Sequence, residues 1–177
     1  KRDYNKTLFK KKNGEIVKSE IPHQRPTGIR GFVMNTRKDL FKDWRVRDAL
    51  IHAFNYEFIN QTINSTKQPR ITSYFSNSSL GMLNGNATGR VLEYLLPFKD
   101  ELPPGALEGY QLPVSNGDIR NRKNIRLARS QLKEAGWNLI NGSLQNANGE
   151  KFQFEILLES GSGSNEAIMN IFMDSLK

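Results

Sequence analysis

The sequence predicts an α/β domain in which strands and helices alternate and long polar loops join them. Two stretches place apolar residues at helical spacing: Val46, Ala49, Leu50, Ala53 and Phe54 form one stripe, and Ile125, Ala128, Leu132 and Ala135 form the other. A third stretch, Lys151 to Leu158, alternates Phe152, Phe154 and Ile156 with polar neighbours, the period of a half-buried strand. The chain has 177 residues, of which 37% are hydrophobic. That supports a single core, so residues 1–177 are read as one domain.

The elements follow in order. Asn13-Gly14 signals a turn, and Glu15 to Ile21 alternates loosely, which predicts a hairpin or edge strand. Pro22 and Pro26 hold His23 to Thr27 extended, because proline fixes its own φ and biases the residue before it. A short apolar strand, Gly31 to Asn35, comes next. Asp43 is placed to cap the first helix, since its carboxylate can accept from the free amides of the first turn. Asn55 is expected to cap a second short helix that buries Phe58, Ile59 and Ile63.

Residues 64–121 are rich in Asn, Ser, Gly and Pro and weakly periodic, apart from a helix over Thr88 to Phe98 with Val91, Leu92 and Leu95 inward. A long irregular stretch of this kind is usually functional or mobile. The helix from Asn121 to Ala135 ends at Gly136, a residue suited to the left-handed position after a helix. An Asn148-Gly149 type I′ turn is expected to join Ser143-Leu144-Gln145 to the strand Lys151–Leu158. The last helix opens after Gly161 to Ser164, with Ile168, Ile171, Phe172 and Leu176 inward. Lys1 at the start and the uncapped helix at Lys177 suggest a domain cut from a longer protein at both ends.

The net charge of +8 is lopsided: residues 1–50 hold 14 lysines and arginines against 6 carboxylates, and the remaining residues hold 12 of each. A basic nucleic-acid-binding domain is therefore the alternative reading, although a solvated basic face explains the same charge. Such a domain needs aromatics interleaved with its cations, and only Phe32, Phe41 and Trp44 lie near them.

The absence of cysteine excludes disulfides, thiol catalysis and Cys-ligated zinc. The two histidines, His23 and His52, belong to no cluster at ligand spacing, so neither a metal nor a cofactor is expected. There is no Gly-x-Ser-x-Gly elbow. Ser160 to Ser164 joins a strand to a helix but lacks the lysine of a phosphate loop. Asp39/Asp43 and Glu93/Asp100 are explained by caps and surface positions. The chain is expected not to be an enzyme.

Three separated stretches carry a resemblance: GFVMNTRKDLFKDWRVRDALIHAFNYEFIN (31–60), NIRLARSQLKEAGW (124–137), and the Asn148-Gly149 turn leading into FQFEILL. In this order they resemble family 5 of the extracellular solute-binding proteins, the peptide receptors of bacterial ABC importers. HQRPTG (23–28) and SYFSNS (73–78) resemble its oligopeptide and microcin-C-type subgroup. The resemblance covers residue 15, approximately, to the end. It implies a type II periplasmic-binding-protein-like lobe, a mixed sheet with flanking helices and long loops, and most of the C-terminal half of a two-lobed clamp that closes by a hinge. It also implies a periplasmic receptor that passes peptides or peptide-like compounds to membrane permease subunits. Asn55 stands where the family often has Asp, and both can cap a helix. On this reading Ser73, Tyr74, Phe75 and Asn77 face the ligand cleft, and Arg25 and Arg30 pair a carboxylate of the ligand or the opposite lobe. Core packing is the rival expectation for Tyr74 and Phe75, and a surface salt bridge for Arg25.

Overall fold

The computed structural model describes residues 21–64 and 68–177. The expected hairpin at 13–21 and the lysines at 10–12 lie almost wholly outside the described residues. A 3₁₀ turn, Asp39–Phe41, leads into helix α1 (Trp44–Ala53), followed by α2 (Tyr56–Thr62), α3 (Gly89–Leu95) with a 3₁₀ extension Leu96–Phe98, and α4 (Arg122–Glu134). Strands β1 (Asn138–Ile140) and β2 (Ser143–Gln145) form an antiparallel pair, and α5 (Gly163–Ser175) ends the order.

Helices α1 and α4 pack together and make the core. Asp43 caps α1 as expected, with its carboxylate accepting from the Arg45 amide at 2.9 Å. The predicted stripe is buried at Val46, Ala49, Leu50 and Ala53, and it meets Ala128 and Leu132 of α4. Gly136, at φ +91°, closes α4: its amide donates to Lys133 O at 3.0 Å, and the Trp137 amide reaches back to Leu132 O at 2.8 Å. The two bonds satisfy carbonyls that the helix end would leave free. Aromatic rings extend the core in two chains. Phe32, Phe54 and Phe172 pack mutually at 5.6–6.2 Å between centroids. Phe41, Phe154, Phe152 and Trp137 follow one another edge to face at 5.0–6.0 Å.

Several expectations are corrected. Gly31 to Asn35 and Phe152 to Leu158 are extended but form no ladder among the described residues. Their side chains do alternate: Phe32, Met34, Phe152, Phe154 and Ile156 pack on the core, whereas Val33 is 96% and Leu157 97% exposed. Periodicity records which face is buried; a strand also needs a neighbour for its backbone, and beyond the Phe152 amide, which donates to Leu144 O at 2.8 Å, no neighbouring strand among the described residues supplies one. The sheet that does form lies one turn earlier. Asn141 (φ +48°) and Gly142 (φ +80°) supply the two positive angles of the I′ turn joining β1 to β2. At Asn148-Gly149 only glycine is left-handed, and the loop closes through a single bridge between Gln145 and Lys151.

Val91 is 58% exposed because α3 packs on nothing that buries it, and Leu176 is exposed at the end of α5. Asn55 makes no capping bond to α2. Fully buried, it donates from Nδ2 to Asp118 O at 2.7 Å and accepts from Ser115 Oγ at 2.7 Å.

Candidate functional site: a clasped turn with outward aromatics

The irregular stretch folds through its own polar side chains. Between Ser73 and Gly81 successive turns are closed by Ser76 N to Ser73 O (3.1 Å), Ser78 N to Phe75 O (3.1 Å) and Gly81 N to Ser78 O (3.0 Å). The Ser73 hydroxyl accepts from the Phe75 amide at 3.2 Å, and the Ser78 hydroxyl donates to Phe75 O at 2.7 Å. Serine and asparagine hold such turns because short polar side chains reach nearby backbone. Asn77 sits at φ +69°, a region asparagine tolerates.

From that position Asn77 Nδ2 donates to His23 O at 2.9 Å and to Arg25 O at 3.0 Å. The Thr27 amide adds a bond to Ser76 O at 3.0 Å. The proline-stiffened segment 23–27 is thus clasped to the 73–78 turn, some 50 residues away in sequence. With the chain pinned on that side, Tyr74 and Phe75 turn outward, 66% and 49% exposed. They are not core residues.

Of the six residues singled out by sequence, the structure gathers Ser73, Tyr74, Phe75, Asn77 and the main chain of Arg25. The Arg25 guanidinium has no ion pair among the described residues, so the expected surface salt bridge is not formed there. Arg30 is exposed, and no bond among the described residues ties it to the turn. Leu80, Met82 and Leu83 continue the exposed apolar surface after Phe75.

Residues not singled out by sequence position this surface. Arg70 donates to Pro113 O at 2.5 Å, and its guanidinium lies 5.2 Å from the centre of the Tyr56 ring. Burial lowers the Arg70 pKa and raises that of Tyr56, whose hydroxyl donates to Gln68 O at 2.6 Å. Gly109, at φ +93°, lies against the backbone of Gly85 with no room for a Cβ, beside the bond from Ala87 N to Leu107 O at 2.7 Å. In sequence Arg70 is an isolated arginine after Pro69, and that signal is too common to use.

A polar cluster joins α1, α4 and Tyr110. Asp48 accepts from Tyr110 Oη at 3.1 Å and from Gln131 Nε2 at 2.5 Å, and His52 Nδ1 lies 3.0 Å from Asp48 O. Burial, reinforced by Asp48, pushes the Tyr110 hydroxyl up to about 12. Among the described residues no group of three or more metal-ligating side chains converges. Of the three aromatics near the cations, two are turned inward: Phe41 is buried, and Phe32 stacks on Phe172 at 5.9 Å, whereas Trp44 is exposed.

The turn therefore presents two aromatic side chains to the outside on a hydrogen-bonded backbone. Residues 3–177 match the family described as bacterial extracellular solute-binding proteins, family 5 Middle, and the chain belongs to that family. It is 37% identical over 148 residues to the peptidoglycan-binding protein YepA of Agrobacterium fabrum, covering 83% of this chain and 24% of the relative. It is 37% identical over 162 residues to a probable peptide-binding protein, YejA, of the same organism, covering 89% and 26%. YejA of Escherichia coli, described as uncharacterized, is 36% identical over 152 residues, covering 84% and 25%. The chain spans about a quarter of the length of these relatives.

Proposed function

We propose that this chain is part of a receptor that captures peptides or peptide-like compounds in the periplasm for a bacterial ABC importer, and that it performs no catalysis. The observation that carries the reading is the clasp: Asn77 fixes the 23–27 segment, and Tyr74 and Phe75 are left facing outward. A receptor that accepts varied peptides needs backbone bonding and broad apolar faces. Ser73, Tyr74, Phe75 and Asn77 form that surface, and Arg25 and Arg30 offer guanidinium groups to a carboxylate of the ligand or of a facing lobe. The names of two relatives, one peptidoglycan-binding and one probable peptide-binding, support the substrate class.

The chain is most of one lobe of a type II clamp. The extended segments Gly31–Asn35 and Phe152–Leu158, each with one face on the core, have the placement of strands in a mixed sheet whose neighbours belong to the longer protein. Gly31–Asn35 lies near the hinge, and the membrane permease subunits are the partners of the closed form.

Calorimetry of the full-length protein against a peptide mixture tests the reading. Peptides bind without turnover, and Tyr74→Ala with Phe75→Ala weakens binding by about tenfold or more. Binding of sugars or metal chelates with no response to peptides overturns the substrate class.

A further inference from the structure

A second surface shares no lining residue with the clasped turn. An open cleft of about 540 Å³ sits between the loop Val114–Arg120 and the first turns of α4. Arg120, Arg122, Lys123 and Arg126 line it, against the one carboxylate of Asp118. Asp118 is engaged by Asn116 Nδ2 at 2.5 Å. Among the described residues none of the four cations has a carboxylate within ion-pair distance.

The four side chains are exposed and lie close together in sequence on one helix start. Arg122 and Arg126 are four residues apart, and Lys123 and Arg126 three, so like charges face one another on the helix surface. They also stand at the positive end of the helix, whose first turn has no acidic residue. Asn121 does not relieve the charge: its side chain is turned away to donate to His52 O at 3.0 Å and caps nothing. Four cations that line one cleft without a carboxylate partner among the described residues are compensated when an anion enters it. Guanidinium groups match the planar, two-oxygen face of carboxylate and phosphate. Val114 and Ile119, both largely exposed, give the same cleft apolar wall. The volume suits a small organic molecule rather than a bare ion.

We propose that this cleft binds a small organic polyanion, a phosphate monoester or a polycarboxylate, through Arg122 and Arg126 with Arg120 and Lys123 around them. It is a site separate from the peptide surface.

Titration of the full-length protein with glucose 6-phosphate, citrate and inorganic phosphate at low ionic strength tests it. Glucose 6-phosphate or citrate binds more tightly than inorganic phosphate, and Arg122→Gln with Arg126→Gln weakens that binding by about tenfold or more. The double variant removes repulsion, so its melting temperature stays level or rises, and its affinity for peptides is unchanged. Arg90→Gln with Arg129→Gln, which removes as much charge outside the cleft, leaves the anion affinity in place. Absence of binding by all three anions, equal loss in both double variants, or tightest binding by inorganic phosphate overturns the proposal. None of these outcomes bears on the peptide reading, whose own test is binding at Tyr74 and Phe75.

Discussion

The α1–α4 pair and residues 68–120 are held by different forces. In the helix pair small and branched apolar side chains are buried against each other, and the rings of Phe32, Phe54 and Phe172 continue the packing. From 68 to 120 no residue is buried. That region is kept in place by polar side chains that grip backbone: Arg70 on Pro113, Asn55 on Asp118, Asn77 on His23 and Arg25, Asn124 on Val114. Its large apolar residues, Tyr74, Phe75, Leu83 and Tyr94 among them, face outward. An exposed apolar surface on a hydrogen-bonded frame is what a ligand or a second lobe can cover. The packed pair supplies stability; the polar frame supplies shape.

The largest expected effect comes from the packed side. Leu50 is 3% exposed between α1 and α4, so Leu50→Ala removes buried methyl groups and leaves a cavity. The expected loss is about 2–5 kcal/mol, measured by denaturant unfolding. A loss below about 1 kcal/mol would mean that the helix pair is not the core.

Asn55 joins the two regions and comes second. Asn55→Ala removes the bond to Asp118 O and the acceptor of Ser115 Oγ in a fully buried setting, which costs about 1–3 kcal/mol. Asn55→Asp is expected to cost more, because a carboxylate cannot donate to the carbonyl it would face. If Asp is tolerated as well as Asn, the bond to residue 118 is not what selects the residue. Hydrogen exchange of the 115–118 amides gives a local readout, since their protection falls in both variants.

This residue also shows where sequence stops being legible. The α1 and α4 stripes, the Asp43 cap and the glycine after α4 were readable because each follows from neighbours three or four residues away. The clasp of Asn77 on 23–27 was not, because its partners are about 50 residues off and are backbone carbonyls, which carry no side-chain signature. Tyr74 and Phe75 could be named as binding candidates by resemblance alone; periodicity there is silent. Val91 belongs to a helical stripe yet faces outward, because a stripe marks a face without saying whether anything packs on it. The cations at 120–126 stood in plain sequence, and their signal was the lack of acidic residues where a helix start favours them.

Asp43 is third. Asp43→Ala loses the cap of α1 and costs about 1 kcal/mol near neutral pH. The hydrogen bond from Arg45, helped by its charge, holds the Asp43 carboxyl below its ordinary value of 3.8. A lowered folded pKa contributes stability above the unfolded value, and that contribution is lost as pH falls through the folded value. The gap between wild type and variant therefore narrows in acid, and a gap that widens contradicts the cap. Tyr110 runs in the opposite direction. Its hydroxyl is raised to about 12, so the folded state loses stability as pH rises from the ordinary value of 10 toward that figure. Tyr110→Phe removes this slope and the bond to Asp48, at a cost of about 1 kcal/mol.

The smallest effect is expected at Leu83, and it is the most direct contrast with Leu50. Leu83 is 86% exposed, so Leu83→Ala takes little apolar area out of contact and leaves no cavity. Stability should change by less than about 0.5 kcal/mol. The same chemical change then differs several-fold between the two regions because of burial alone. Peptide binding by the full-length protein separates the two roles an exposed leucine can have. If the apolar surface that begins at Tyr74 extends to residue 83, Leu83→Ala weakens binding while melting is unchanged. If binding is unaffected and Tyr74→Ala still weakens it, the surface ends at the clasped turn and Leu83 is covered by nothing that the ligand provides.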